Sequence, residues 1–128
     1  MEKLEYIPGD LVKFATNTYT IVNFEENFLH NKICYALIST NSTKTAFVAD
    51  RDILPIPLTP EILEKNGWAK DKEGYINDSY HLHLCEKNNR YSVYKVVNDN
   101  IVWLTDVKNV SDLQHLLFGL GLNSGMEV

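Results

Sequence analysis

The sequence has no excess of positive charge, only two cysteines, and no apolar run long enough to cross a membrane. Each shortage removes a class of function. Nucleic-acid affinity rests on neutralising phosphates with Lys and Arg, and here 12 Lys/Arg face 17 Asp/Glu for a formal net charge of -5. The imbalance is even, with five basic against seven acidic residues over 1–57 and seven against ten over 58–128. Without a basic arm or stripe, a nucleic acid is a disfavoured partner, and the acidity is too slight to argue for DNA mimicry. Cys34 and Cys85 lie far apart, and the charged start Met1-Glu2-Lys3 has no apolar run behind it of the signal-peptide kind. A reduced, cytoplasmic protein is expected. No stretch approaches the roughly 18 consecutive apolar residues of a membrane helix, so no membrane association is expected either.

What is present points to a packed, strand-rich fold. With 128 residues, 45% of them hydrophobic, the chain fits a single compact domain over 1–128. Seven Tyr, five Phe and two Trp favour sheets and contact surfaces over a helical bundle.

The first part reads as β. Pro8-Gly9-Asp10 places a turn before the apolar run Leu11-Val12-Lys13-Phe14, and a Thr16-Asn17 turn separates it from Thr18 to Phe24, a hairpin signal. Runs from Ile33 to Ser39 and from Thr45 to Ala49 flank Thr40-Asn41-Ser42-Thr43, and Arg51 to Leu54 closes the set. Four or five short strands of this kind predict a small SH3-like β-barrel unit over residues 1–54. Residues 55–59 form a proline-stiffened strap, because Pro55 and Pro57 fix φ and disfavour helix before them.

From residue 60 to 122 the pattern becomes α-β-β-β-α. Thr59 is a candidate N-cap, Pro60 sits where its missing N–H is harmless, and Asn66-Gly67 supplies a left-handed stop followed by Trp68. Strands are expected over Tyr75 to Cys85, with a break near Asn77-Asp78, then Tyr91 to Val97 and Ile101 to Leu104. Asn88-Asn89 and Asn98-Asp99-Asn100 supply the turns of an antiparallel meander. Leu113, Leu116, Leu117 and Leu120 recur at helical spacing, with Ser111 and Gln114 as a capping box and Gly121 at C′, so an amphipathic helix should pack on the sheet. The fold class is thus α+β.

Three stretches also resemble a known group. Ile7-Pro8-Gly9-Asp10-Leu11-Val12, the central Ile53-Leu54-Pro55-Ile56-Pro57-Leu58-Thr59-Pro60-Glu61 through Gly67-Trp68, and Val110-Ser111-Asp112-Leu113-Gln114-His115-Leu116-Leu117-Phe118-Gly119-Leu120 are similar to motifs of short uncharacterised proteins from Bacteroidetes genomes, prophages and mobile elements. The resemblance implies a setting, that of a phage or mobile-element accessory protein, and carries no activity with it. This chain departs from the pattern at Ser111-Asp112 and at Gly119-Leu120-Gly121.

Several constellations carry chemistry. On a continuous strand, His81, His83 and Cys85 would share one face, two imidazoles and a thiol able to bind a transition metal. A fourth ligand is missing, as is any C-x-x-C or H-E-x-x-H spacing, and a solvated strand explains the same residues. His30 and His115 could join only through tertiary folding. Cys34 or Cys85 with a distant histidine lacks the local signatures of a nucleophilic site, and free Cys is ordinarily a small core residue. Glu25-Glu26 and Asp50 with Asp52 fall in expected turns, where solvated charge accounts for them. Gly119-x-Gly121 follows a helix, whereas anion-binding glycines precede one.

The aromatic series Tyr75, Tyr80, Tyr91, Tyr94 and Trp103 remains, and strand alternation cannot bury all of it on one face. Some members should therefore form an exposed binding surface. The expectation is a non-enzymatic protein that binds a macromolecular partner, a protein first, with no cofactor and no resident metal. The alternative is a small-ligand or nucleotide-binding inhibitor of host defence that uses these aromatics with Lys70, Lys72, Lys87 or Arg90. A nucleic-acid-binding module ranks below both. Leu116-Leu117-Phe118 offers more apolar surface than one helix face needs, a feature compatible with self-association.

Overall fold

Residues that tolerate a left-handed backbone stand at the hairpin tips and direct the chain back on itself. Asn88 and Asn89 have φ of 52° and 64°, and Asn98 and Asp99 have 49° and 67°. Positive φ at both loop residues is the type I′ pattern, whose twist matches that of paired strands. A computed structural model describes residues 6–27, 32–39 and 45–128. The chain divides into two compact units, one up to Ile56 and one from Pro57.

The first unit contains β1 (Leu11–Phe14), β2 (Asn17–Asn27), β3 (Lys32–Ser39), β4 (Thr45–Ala49), a 3-10 turn at Asp50–Asp52 and β5 (Leu54–Pro55). They make one antiparallel five-stranded sheet in the order β4-β3-β2-β1-β5. Among the described residues its edges β4 and β5 do not pair, so the sheet stays open and the expected SH3-like β-barrel is incorrect. The reason is local: β5 offers β1 only Leu54 and Pro55, and proline has no N–H with which to extend a ladder. The β1–β2 hairpin turns at Ala15-Thr16, one residue earlier than the sequence signal. Tyr6, Val12, Ile21, Tyr35, Leu37, Val48 and Ile53 form the core, with the Tyr6 and Tyr35 rings edge to face at 5.6 Å. The Pro8-Gly9 turn is closed by buried Asp10, whose carboxylate accepts from the Ile7 N–H at 2.9 Å. That motif is structural. The expected turn at Thr40-Asn41-Ser42-Thr43, and His30, lie outside the described residues.

The second unit runs α1 (Pro60–Lys65), β6 (Ala69–Lys70), β7 (Gly74–Asn77), β8 (Leu82–Lys87), β9 (Arg90–Val97), β10 (Asn100–Val107) and α2 (Val110–Gly119). The expected meander is present as an antiparallel five-stranded sheet, β10-β9-β8-β7-β6, with the two-residue β6 as an addition. The break foreseen near Asn77 is a four-residue turn, Asp78 to His81. The strap is divided between the units: Pro55 pairs with Val12 in the first sheet, while Pro57 bridges to Asn109 and the Leu58 N–H donates to the Lys108 carbonyl.

Both helices end as the glycines predicted. The Trp68 and Gly67 N–H groups donate to the Leu63 and Glu64 carbonyls, and those of Leu122 and Gly121 donate to Leu117 and Phe118, which makes two Schellman motifs. Thr59 caps α1 by accepting from the Ile62 N–H at 3.3 Å. At the start of α2 the expected Ser111–Gln114 box is replaced by Asn109 and Asp112, whose carboxylate accepts from the Lys108 and Asn109 N–H groups at 3.0 and 2.9 Å. Ser111 and Gln114 are instead buried, and Gln114 Nε2 donates to the Ser124 carbonyl at 3.1 Å. The segment beyond α2 is pinned to α1 by Asn66, which donates to the Glu127 carbonyl at 2.7 Å and accepts from its N–H at 2.8 Å. Among the described residues, no helix is long and apolar enough to cross a membrane.

Candidate functional site on the open face of the second sheet

Alternation sorts the second sheet into two faces. Leu82 and Leu84 on β8, and Tyr91 and Val93 on β9, are buried with Tyr75, Val107, Leu113 and Leu117. The intervening His83, Cys85, Ser92 and Tyr94 point to the other face and are half-buried. Register carries one row across four strands: Ile76 opposes His83, His83 opposes Tyr94, and Tyr94 opposes Trp103. The next row links Cys85, Ser92 and Asp106. On the other side of Tyr94 and Trp103, Val96 opposes Ile101. Trp103 is 56% exposed and Ile101 67%.

A bulge builds the corner of this face. Trp103 opposes Tyr94 while Thr105 opposes Val93, so Leu104 is an extra residue in β10. In a regular strand residues i and i+3 point to opposite faces. The bulge puts Trp103 and Asp106 on the same one. Asp106 Oδ1 then accepts from Ser92 Oγ at 2.8 Å and from Trp103 Nε1 at 3.2 Å, with Arg90 at 4.0 Å from Oδ2. These hydrogen bonds, with Arg90 and Lys87 nearby, hold the carboxyl below its ordinary value. The indole is anchored by its edge, leaving an aromatic face exposed in a defined orientation.

The five aromatics singled out from the sequence separate. Tyr94 and Trp103 form the row. Tyr75 and Tyr91 are core, with rings edge to face at 6.3 Å, so their place in an exposed surface is corrected. Burial raises both phenol pKa values, followed by Glu64 and Glu86 for Tyr75 and by Glu86 and Tyr75 for Tyr91. Tyr80 sits half-buried in the Asp78–His81 turn. Ser92, Asp106, Ile76, Val96 and Ile101 were not anticipated, since face and register, and not local motif, bring them together.

His81 does not join His83 and Cys85. It is exposed in the turn with φ of 56°, before β8 begins. Among the described residues, no three or more His, Cys, Asp or Glu gather closely enough to hold a metal ion. Cys85 Sγ donates to Glu73 Oε2 at 3.9 Å, and burial followed by the charges of Glu73 and Asp71 pushes its thiol pKa up. That environment suppresses the thiolate a nucleophile or metal ligand requires. Asp50 and Asp52 lie in the 3-10 turn, whereas the backbone of Glu25 and Glu26 is in β2 and not in a turn. Cys34 is a half-buried residue of β3, and His115 is half-buried on α2.

Among the described residues, three cavities lie along the sheet. One of about 630 Å³ is lined by Lys70, Lys72 and Lys87 but also by Glu64, Asp71, Glu73 and Glu86. A second, about 400 Å³, sets Arg90 and Lys108 against Asp106 and Asp112. Neither of these walls has the positive surplus a phosphate group demands. A third, about 330 Å³, has Lys87 and Arg90 beside Asp106, the carboxylate already bonded to Ser92 and Trp103. No family model, curated protein or solved structure matches the chain.

Proposed function

We propose that this chain is a non-enzymatic binding module that takes a protein partner on the open face of its second sheet. The observation that carries the reading is the exposed, edge-anchored Trp103 beside Tyr94 and Ile101, an apolar patch of aromatic and aliphatic side chains with a fixed carboxylate at its border. Buried interface centres are enriched in such aromatics, and a preoriented ring loses less entropy on binding. The motif resemblance adds the setting of a phage or mobile-element accessory protein. A nucleotide or nucleic acid fits less well, because the cations lining each cavity stand beside carboxylates and the chain carries a net charge of -5.

The test is affinity capture with wild type and with Tyr94→Ser/Trp103→Ser, after thermal melting has shown that both are folded. A stoichiometric protein retained by wild type and lost by the double variant supports the proposal. Retention of the same protein by both, or a nucleotide detected by native mass spectrometry in place of a protein, overturns it.

A further inference from the structure

The two edges of the second sheet are protected to different degrees. At one side β6 is two residues long and one of them is Lys70, the kind of short, charged edge that resists pairing. At the other, β10 is eight residues long, and Asn100-Ile101-Val102-Trp103-Leu104 contains neither charge nor proline. Ile101, Val102 and Trp103 are 67%, 47% and 56% exposed, so both faces of this stretch are bare beside a backbone edge that, among the described residues, no strand pairs with. The blunting devices of β10, the bulge at Leu104 and the charge of Asp106, lie beyond its first four residues.

We propose that β10 pairs with β10 of a second copy, in antiparallel register about a two-fold axis normal to the sheet. Such an axis reverses strand direction and keeps like faces together, so opposed residues must lie on the same face. Centred on Val102, the register places Trp103 of each copy opposite Ile101 of the other. These are the two most exposed apolar side chains of the outer face, and the pairing joins them twice, an aromatic–aliphatic cross-strand contact of the stabilising kind. The regular ladder stops at the bulge, and no two like charges are directly opposed. The segment is thus complementary to itself. It also aligns the two Tyr94–Trp103 rows on one side of a continuous sheet, presenting the proposed partner surface in duplicate.

One strand per copy is small against the roughly 800 Å² per partner of a standard interface, so association should be weak and concentration-dependent. The acidic chains repel each other at long range, so added salt should favour the pair.

Sedimentation velocity of the full chain across the micromolar range tests this. The mass should rise from one protomer toward two for wild type and for Phe118→Ser, which removes an exposed apolar side chain on α2. Ile101→Lys should lose the association while melting as wild type does. If Ile101→Lys fails to fold, hydrogen exchange of wild type substitutes: β10 amides should gain protection as concentration rises. A wild-type mass of one protomer throughout overturns the inference, as does association lost in Phe118→Ser and kept in Ile101→Lys. A chain that stays single yet keeps its partner through Trp103 loses this inference alone, leaving the binding proposal intact.

Discussion

A carboxylate that accepts from both Ser92 and Trp103 holds an exposed indole in place, and it does so best when ionised, because charge-assisted hydrogen bonds are the stronger ones. The depressed pKa of Asp106 states the same preference from the proton's side. Linkage then fixes a sign. A carboxyl whose folded pKa lies below its unfolded value contributes stability that is present above the ordinary aspartate range and is lost as pH falls through the folded pKa. Asp106→Asn retains an acceptor oxygen but not the charge. Melting followed against pH should show wild type above Asp106→Asn at neutral pH, with the gap closing in acid below the usual carboxylate range. A gap independent of pH would mean that the charge plays no part. The effect is small, since the site is open to solvent and salt.

Among the elements, glycines differ in what they permit. A Cβ at Gly74 would collide with the carbonyl oxygen of Leu84 on the neighbouring strand, whereas one at Gly121 meets open space and only a left-handed φ of 73°. Backbone cannot swing aside as a flexible side chain can. Gly74→Ala should therefore cost about 3 kcal/mol, the upper part of the overpacking range, and Gly121→Ala about 1 kcal/mol. Denaturant unfolding would rank them, and equal losses would contradict the close approach. Gly121 was legible in the sequence because a C′ glycine closes a periodic helix; Gly74 was not, because its constraint comes from a strand ten residues further on. The same division holds elsewhere. Asn88-Asn89 and Asn98-Asp99 announce their turns locally, and Thr59 announces its cap. Asn109-x-x-Asp112 and Ser111-x-x-Gln114 compete as capping boxes, and burial of Ser111 and Gln114 decides between them. Tyr75, Tyr91 and Tyr94 share a composition and part company only through register. Barrel closure failed because β5 pairs through Leu54 and Pro55 alone, a length that short runs and turn signals do not fix, and His81 left its expected face because the turn consumed it.

For the molecule as a whole, charge and the open face favour different modes of binding. The acidic surplus is distributed over both parts of the sequence, while Ile76, Tyr94, Val96, Ile101 and Trp103 concentrate apolar surface on one side of the second sheet, with Asp106 as the nearest fixed charge. Binding carried by burial of apolar area is insensitive to moderate salt and is strengthened by strongly hydrated anions such as sulfate. Binding carried by ion pairs weakens as screening shortens, and binding to nucleic acid weakens steeply through counterion release. Once a partner has been captured, its retention measured against rising sodium chloride and then against sodium sulfate should stay level in the first series and improve in the second. The dependence on Trp103 should persist throughout. A loss of retention over the first increments of sodium chloride would instead assign the interaction to scattered charged side chains, and the open sheet face would lose its claim to be the contact surface.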